Sequence, residues 1–257
     1  MQQEHVDNNI IDIRLERTGG IYESYIKRLV DIICALLAIV LFGWLYIIVA
    51  VLVRLKLGSP VLFKQPRPGE FDLKTGRERI FYMYKFRSMS DERDEAGKLL
   101  PDRERLGKFG KALRASSLDE LPEVFNILKG DMSIIGPRPQ LVRDMVFMTK
   151  EQRMRHTVKP GLSGLAQVNG RNGIDWEDKL EWDLKYIQDV TFFGDIGIIF
   201  QTIMKAFVKQ EGITTGDMAT SEDLGDYLLS KGKISQEEYD RKQKEADELL
   251  NERTRYK

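Results

Sequence analysis

The sequence predicts an α/β chain held at a membrane, and three observations carry that reading. Residues 32–53, IICALLAIVLFGWLYIIVAVLV, contain no charge over twenty-two positions. Residues 78–89, ERIFYMYKFRSM, are rich in aromatics with rough apolar–polar alternation, the pattern of a β-strand. The stretch 108–129 carries Phe109, Leu113, Leu118, Leu121, Phe125 and Leu128, spacings that fit two amphipathic helical pieces broken near Ser116 and Ser117.

The uncharged run is long enough to enter a bilayer. As a helix it measures about 33 Å, against a hydrocarbon core of ~30 Å. A cleaved signal peptide does not fit, because the run is too long and no small-residue cleavage site follows it. Lys27 and Arg28 precede it, while Arg54, Lys56 and Lys64 follow, so the distribution of positive charge favours neither end for translocation. A straight span avoids opening backbone hydrogen bonds in lipid, and Gly43 permits a bend without compelling one. The balanced flanks point the other way, to a re-entrant helix over 21–57 with both ends cytoplasmic, and that is the expectation adopted.

Before it, residues 1–20 form a polar lead-in ending in Gly19-Gly20. After it, KLGSPVLFKQPRPGEFD holds two glycines and three prolines and reads as extended chain and turns. Residues 90–106 are charged and read as an exposed helix or loop. GPRPQ and KPGLSG are turns, and Trp176 to Val190 is a helix. In FFGDIGIIFQTIMKAFVK, residues Phe192, Ile196, Ile199, Ile203 and Phe207 share one stripe, with Asp195, Gln201 and Lys205 off it. That pattern suits either a core-packing helix or one lying in the headgroup boundary. Residues 216–257 are polar, with helical patterning from Glu222, and read as an appended helical hairpin or tail.

Length and composition narrow the function. With 257 residues the chain holds one or two domains, and forty basic residues balance forty acidic ones, which argues against a dedicated nucleic-acid binder. Cys34 alone excludes a disulfide framework, and His5 and His156 are too few for a zinc site. The densest cluster of reactive groups is Ser116-Ser117-Leu118-Asp119-Glu120-Leu121-Pro122. Ser117 and Glu120 have the spacing of a capping box. The same carboxylates, beside cations, could instead attack phosphorus and hold a magnesium ion. Cations are plentiful: Lys85 and Arg87 on the aromatic strand, Arg138 between Pro137 and Pro139, then Arg155, Lys159 and Arg171. Arg and Lys on rigid turns near carboxylates suggest a phosphate clamp with a divalent metal, and no P-loop pattern is present.

KRLVDIICALLAIVLF, GSPVLFKQPRPG, YKFRSM, SSLDELPEVFNILKGDMSIIGPRP and RHTVKPGLSGLAQVNGRN occur in that order. Together, from about Tyr25 to Gly212, they resemble the bacterial sugar transferase family, the monotopic polyprenyl-phosphate phosphoglycosyl transferases. The resemblance implies a compact α/β membrane-associated unit with a re-entrant helix, interfacial amphipathic helices and a small sheet. It implies transfer of a phosphosugar from a UDP-sugar to undecaprenyl phosphate with release of UMP, the first membrane step of glycoconjugate assembly. By motif match Asp119 is the nucleophile that forms a covalent phosphosugar intermediate, and Glu120 helps bind Mg2+, so the metal pair is Asp119 and Glu120. Lys85, Arg138 and Asp183 of EWDLKY match active-site positions, and with Arg87 and Arg171 they make up the expected phosphate-binding set. Two departures stand out. The family's mid-membrane Ser-Pro pair is replaced by Phe42-Gly43-Trp44-Leu45, and a common Trp by Leu165.

The expected organisation is therefore a lead-in over 1–20, a membrane helix over 21–57, a cytosolic-face catalytic domain over 58–215 and a helical extension over 216–257. The expected site of action is the bacterial cytoplasmic membrane with the active site facing the cytoplasm. Partners are membrane lipid and downstream glycosyltransferases, not nucleic acid. Two competing readings are a membrane-tethered adaptor without catalysis and an enzyme that hydrolyses lipid phosphate.

Overall fold

The computed structural model describes residues 20–170, 175–207 and 222–255. A π-helical turn, Tyr22–Ile26, runs directly into α1, Lys27–Leu57. Gly58, at φ +81°, ends α1, with its N–H on the Arg54 carbonyl. Together Tyr22–Leu57 make 36 residues, long and apolar enough to cross a membrane. The helix is continuous through Gly43, where nothing lies within 4 Å of an added Cβ. The bend that glycine permits is not formed: one missing side chain weakens a helix by only about 1 kcal/mol.

The polar face of α1 is turned inward. Arg28 donates to the carbonyls of Ile127 and Leu128, at 2.5 and 2.8 Å. Buried Asp31 accepts from Ser133 Oγ at 3.0 Å and from the Ile134 N–H at 2.9 Å. Farther along, Val49 and Val53 are buried in a cluster with Phe86 and Leu113. Both ends of the helix therefore pack on the same globular unit. Outward, Leu29, Ile33, Leu37, Val40, Trp44, Ile47, Val51 and Leu55 form an exposed apolar stripe along its whole length.

The rest is mostly helical with two small sheets. β1 (Leu62–Asp72) pairs antiparallel with β2 (Arg77–Phe86), with an irregularity between Pro68 and Phe71. β2 is the aromatic strand read from sequence. β1 is the extended chain expected here, paired as a strand where the sequence also suggests turns: with one partner only, it is an edge strand, where Pro66 and Pro68 are tolerated because a missing N–H can face away from the ladder. α2 (Lys108–Ala115) and α3 (Glu123–Lys129) are the two helical pieces expected around the serines. β3 (Ser133–Ile135) pairs parallel with β4 (Gly161–Ser163), and the short α4 (Val142–Met145) follows β3.

Three glycines seat that parallel pair. A Cβ on Gly136 would lie 2.4 Å from the Lys159 carbonyl, and one on Gly161 or Gly164 would lie 2.1 Å from Gly136 backbone atoms. Two backbones meet there with no room for a side chain, which fixes where Pro137-Arg138-Pro139 leaves β3.

α5 (Trp176–Gln188) and α6 (Phe192–Phe207) complete this region. On α6, Phe193, Ile196, Phe200 and Ile203 are exposed, while Asp195 and Ile198 are buried. Asp195 receives Tyr22 Oη at 2.7 Å, Tyr186 Oη at 2.9 Å and the Lys27 ammonium, pinning α6 to the start of α1. Of the stripe, Phe192, Ile196 and Ile203 are exposed, while the buried residues Asp195 and Ile198 lie off it, so the core is packed by a different face of the helix from the apolar stripe. Phe207 contributes no described side chain. The C-terminal α7 (Leu224–Ser230) and α8 (Gln236–Arg255) do not trail away. Leu224, Tyr227 and Ala246 are buried with Val142, Met145, Val146, Phe147, Met148, Trp176 and Leu180 in one cluster.

Candidate active site

The reactive segment lies between α2 and α3. Ser116 closes α2, its Oγ donating to the carbonyls of Ala112 and Leu113 at 3.0 Å each. Ser117 then adopts φ +55°, the only described non-glycine residue in the left-handed region. That conformation costs a residue with a Cβ on the order of 1 kcal/mol or more, and it reverses the chain into a 3-10 turn, Leu118–Glu120. Leu118 and Leu121 pack against Val49, Val53, Phe86 and Leu113, which anchors the turn to α1.

Ser117 makes no capping hydrogen bond, so the capping box suggested by its spacing to Glu120 is not formed. The left-handed backbone moves its hydroxyl out of position, and Glu120 has stronger partners. Glu120 Oε1 receives Lys85 Nζ at 2.7 Å and Arg138 Nη2 at 2.5 Å. Lys85 Nζ also lies 3.2 Å from Glu123 Oε1. Register delivers the lysine: on β2 it sits opposite Phe63 near the strand end, facing α3. The site is thus closed by β2, the 3-10 turn, the start of α3 and the loop after β3.

Electrostatics separates the three carboxylates. Burial would raise Glu120, but Arg138 and Lys85 outweigh it and hold the carboxyl well below the usual carboxylate range. Glu123 is almost fully buried, and burial together with the Glu120 charge pushes it up to about 7. Asp119 is raised by burial and by Glu120, against Lys85, Arg114 and Arg138. Its side chain is 8% exposed, and it accepts no hydrogen bond among the described residues. A carboxylate with free lone pairs among cations can attack an electrophile or bind a cation.

The expected residues divide by position. Asp119, Glu120, Lys85 and Arg138 converge. Arg87 does not join them: its Nη1 is held by the Ser59 carbonyl at 3.0 Å and by Asp91 Oδ2 at 2.6 Å, tying the exit of α1 to the loop after β2. Strand alternation alone would put it on Lys85's face, but Arg87 lies one residue past the end of β2 and its guanidinium is taken up by these local partners. Asp183 lies behind the site. Its Oδ2 accepts Arg155 Nε at 2.9 Å and Nη2 at 2.7 Å, and Arg155 Nη2 donates to the Arg138 carbonyl at 2.5 Å. Asp183 therefore reaches the site through the backbone of Arg138. Arg171 lies outside the described residues.

Two members were missed from sequence. Glu123 reads as a dipole-complementing residue in the first turn of a helix, and only the fold brings it to Lys85. Arg67 donates to the Pro139 carbonyl at 3.1 Å and to Gln65 Oε1 at 2.7 Å. Burial, with the neighbouring charge of Arg138, lowers it to about 10. Its signal was present in Pro66-Arg67-Pro68, the same stiffened setting that singled out Arg138.

The side chains here that could contribute to holding a metal ion are the carboxylates of Asp119 and Glu120. Among the described residues no group of three His, Cys, Asp or Glu side chains converges as a ligand set. Mg2+ is commonly held by one or two carboxylates plus substrate phosphates, so the free Asp119 oxygens and the neighbouring Glu120 fit an ion shared with a diphosphate. Glu120→Gln should therefore lower the rate and raise the Mg2+ concentration needed for half-maximal activity. Glu123→Gln should do less, because glutamine resembles the protonated form that burial favours there. Titrating Mg2+ against both variants checks this, and equal effects would mean that overall charge, not metal ligation, is what matters.

A family model described as "Bacterial sugar transferase" matches residues 22–209. An uncharacterized sugar transferase, EpsL, of Bacillus subtilis (strain 168) is 45% identical over 197 residues, covering 77% of this chain and 94% of that protein. The UDP-N-acetylgalactosamine-undecaprenyl-phosphate N-acetylgalactosaminephosphotransferase of Aeromonas hydrophila is 40% identical over 192 residues, 70% of this chain and 43% of that protein. The UDP-glucose:undecaprenyl-phosphate glucose-1-phosphate transferase of Escherichia coli (strain K12) is 36% identical over 224 residues, 79% of this chain and 47% of that protein. The chain thus spans nearly all of the first of these relatives and under half of the other two.

Proposed function

Since this chain belongs to the bacterial sugar transferase family, we propose that it transfers a sugar phosphate from a UDP-sugar to undecaprenyl phosphate, releasing UMP. The observation that carries the reading is the clustering of an unencumbered Asp119 carboxylate with Glu120 and the Lys85 and Arg138 cations that Glu120 binds. The relatives from Aeromonas hydrophila and Escherichia coli are described as performing this class of transfer.

An Asp119 oxygen attacks the phosphorus that carries the sugar. The bond from that phosphorus to the bridging oxygen breaks, and UMP leaves with the electron pair. A phosphate oxygen of the lipid then attacks the same phosphorus, forms the lipid diphosphate-sugar and returns Asp119 to its free carboxylate. Lys85 and Arg138 hold charge against the diphosphate, and Arg138 is kept rigid by Pro137, Pro139 and the Arg155 donor on its carbonyl. Bound at Asp119 and Glu120, Mg2+ would supply neutralisation of charge on the departing phosphate. Glu120 keeps the two cations from collapsing onto Asp119.

The packing of α1 supports a membrane arrangement with both of its ends on one side. Polar contacts at Arg28 and Asp31 and apolar contacts at Val49 and Val53 all belong to one globular unit, and such a unit cannot straddle a bilayer. Both ends of α1 then lie on the cytoplasmic side, with its outer stripe and that of α6 in the lipid and the site at the cytoplasmic face of the inner membrane. Single cysteines at Asn8 and at Ser221, in a Cys34→Ala background, test it. Both should be protected from an impermeant reagent added to intact spheroplasts. Labelling at the Asn8 position alone would establish a full span and refute this arrangement.

The purified protein, given undecaprenyl phosphate, Mg2+ and a panel of UDP-sugars, should release UMP with one or a few of them. An adaptor would release none, and a lipid phosphatase would release inorganic phosphate without any UDP-sugar.

A further inference from the structure

Beyond residue 209, where the family match ends, the chain continues into the hairpin of α7 and α8. Its docking surface is the segment that leads directly away from Arg138. Residues 142–148 supply Val142, Met145, Val146, Phe147 and Met148 to the cluster that buries Leu224, Tyr227 and Ala246. A Cβ on Gly225 would lie 2.6 Å from the Phe147 ring, so helix and ring are in direct contact. Polar contacts frame this face: Lys242 Nζ on the Val146 carbonyl at 2.5 Å, Arg143 with Asp223 at 2.6 Å and Trp176 Nε1 on the Glu222 carbonyl at 3.1 Å.

At the centre is Asp144, 2% exposed. One oxygen accepts the Leu224 N–H of the hairpin at 3.0 Å, and the other accepts the Leu141 N–H of the Arg138 loop at 3.0 Å. Its charge also acts on Arg67, whose guanidinium donates to the Pro139 carbonyl next to Arg138. One buried carboxylate thus joins the hairpin, the loop and the cation beneath the loop. A group so placed sets the loop's position, because moving the loop would strand a buried N–H or a buried guanidinium.

We infer that the C-terminal hairpin is a positioning clamp for the phosphate-binding Arg138 loop, with Asp144 as the positioning residue that couples them. The catalytic part of this inference rests on the proposed transferase activity; the structural part does not.

The test uses the full chain and two variants that approach the contact from opposite sides. Asp144→Asn removes the charge and one of two acceptors; Gly225→Ala forces α7 off Phe147. Hydrogen exchange, which needs no turnover, should show amides of residues 138–148 and 224–230 exchanging about tenfold faster in both variants, with β1–β2 unchanged. Unchanged exchange over 138–148 would overturn the clamp. For catalysis, Asp144→Asn should lower kcat/KM for the UDP-sugar about tenfold in the wild-type background and less than about twofold in an Arg138→Ala background, since coupled residues are non-additive. Losses that multiply in the double variant would show that Asp144 acts independently of Arg138 and would overturn the coupling. A wild-type protein that releases no UMP from any UDP-sugar sinks the transferase reading, and the exchange arm then decides the clamp alone.

Discussion

Asp119→Asn should abolish turnover, with a loss on the order of a thousandfold or more, as expected when a covalent nucleophile is removed. An amide oxygen is a poor nucleophile, while the substitution keeps the volume of a side chain that makes no hydrogen bond to the described residues. The fold should therefore survive, and thermal unfolding serves as the control. Incubation of the wild-type protein with UDP-sugar alone should add the mass of one phosphosugar to the peptide containing Asp119, with UMP released in equal amount. The asparagine variant should show neither. Substantial turnover without an adduct would mean that the lipid phosphate attacks the UDP-sugar directly.

The second large effect concerns Asp183, and it falls on stability. Asp183 and Arg155 are 2% and 1% exposed, and the carboxylate is the only acidic side chain hydrogen-bonded to that guanidinium among the described residues. Burial raises the Asp183 carboxyl above its ordinary range even against Arg155. Removing one partner of a buried ion pair typically costs about 3–5 kcal/mol, so Asp183→Asn should unfold at markedly lower temperature or denaturant concentration. Replacing both, as Arg155→Met with Asp183→Leu, should recover much of that stability, because no charge is left stranded. Activity should not recover with it, since the Arg138 carbonyl has then lost its donor. If Asp183→Asn were as stable as the wild type and only raised KM for the UDP-sugar, the carboxylate would touch substrate and the placement described for it would be wrong.

What could be read in the sequence follows the range of each interaction. β2 and the paired helices around Ser116 and Ser117 are written in local periodicity, and they form where expected. Asp119 and Glu120 stand out because carboxylates and serines adjoin. Lys85 and Arg138 are legible as cations on stiff backbone, though their meeting on one Glu120 oxygen is set by strand register and by the glycine contact between β3 and β4. Arg87 and Asp183 carry the right chemistry for a phosphate site, yet Arg87 sits past the strand end beside Ser59 and Asp91, and Asp183 is buried against Arg155. The pairing of β1 was hidden by its prolines, since composition reports a missing donor but not which way the missing donor would have faced. The docking of α7 and α8 was hidden because their sequences are predominantly polar; only a few apolar positions touch the core, and their targets lie some eighty residues earlier.

The polar contacts of α1 also impose an order of assembly during synthesis. Arg28 and Asp31 are finished by residues 99–103 positions later in the chain, and Tyr22 and Lys27 by Asp195, 173 and 168 positions later. At ~5–20 residues per second, a ribosome needs roughly 5–20 s to make the first set of partners available and longer for the second. Throughout that interval the helix carries charges whose permanent partners do not yet exist. In the arrangement proposed above, water at the headgroup boundary is the solvent that would hold them meanwhile, so the nascent helix would wait at the membrane surface and settle only as the domain closes over its inner face.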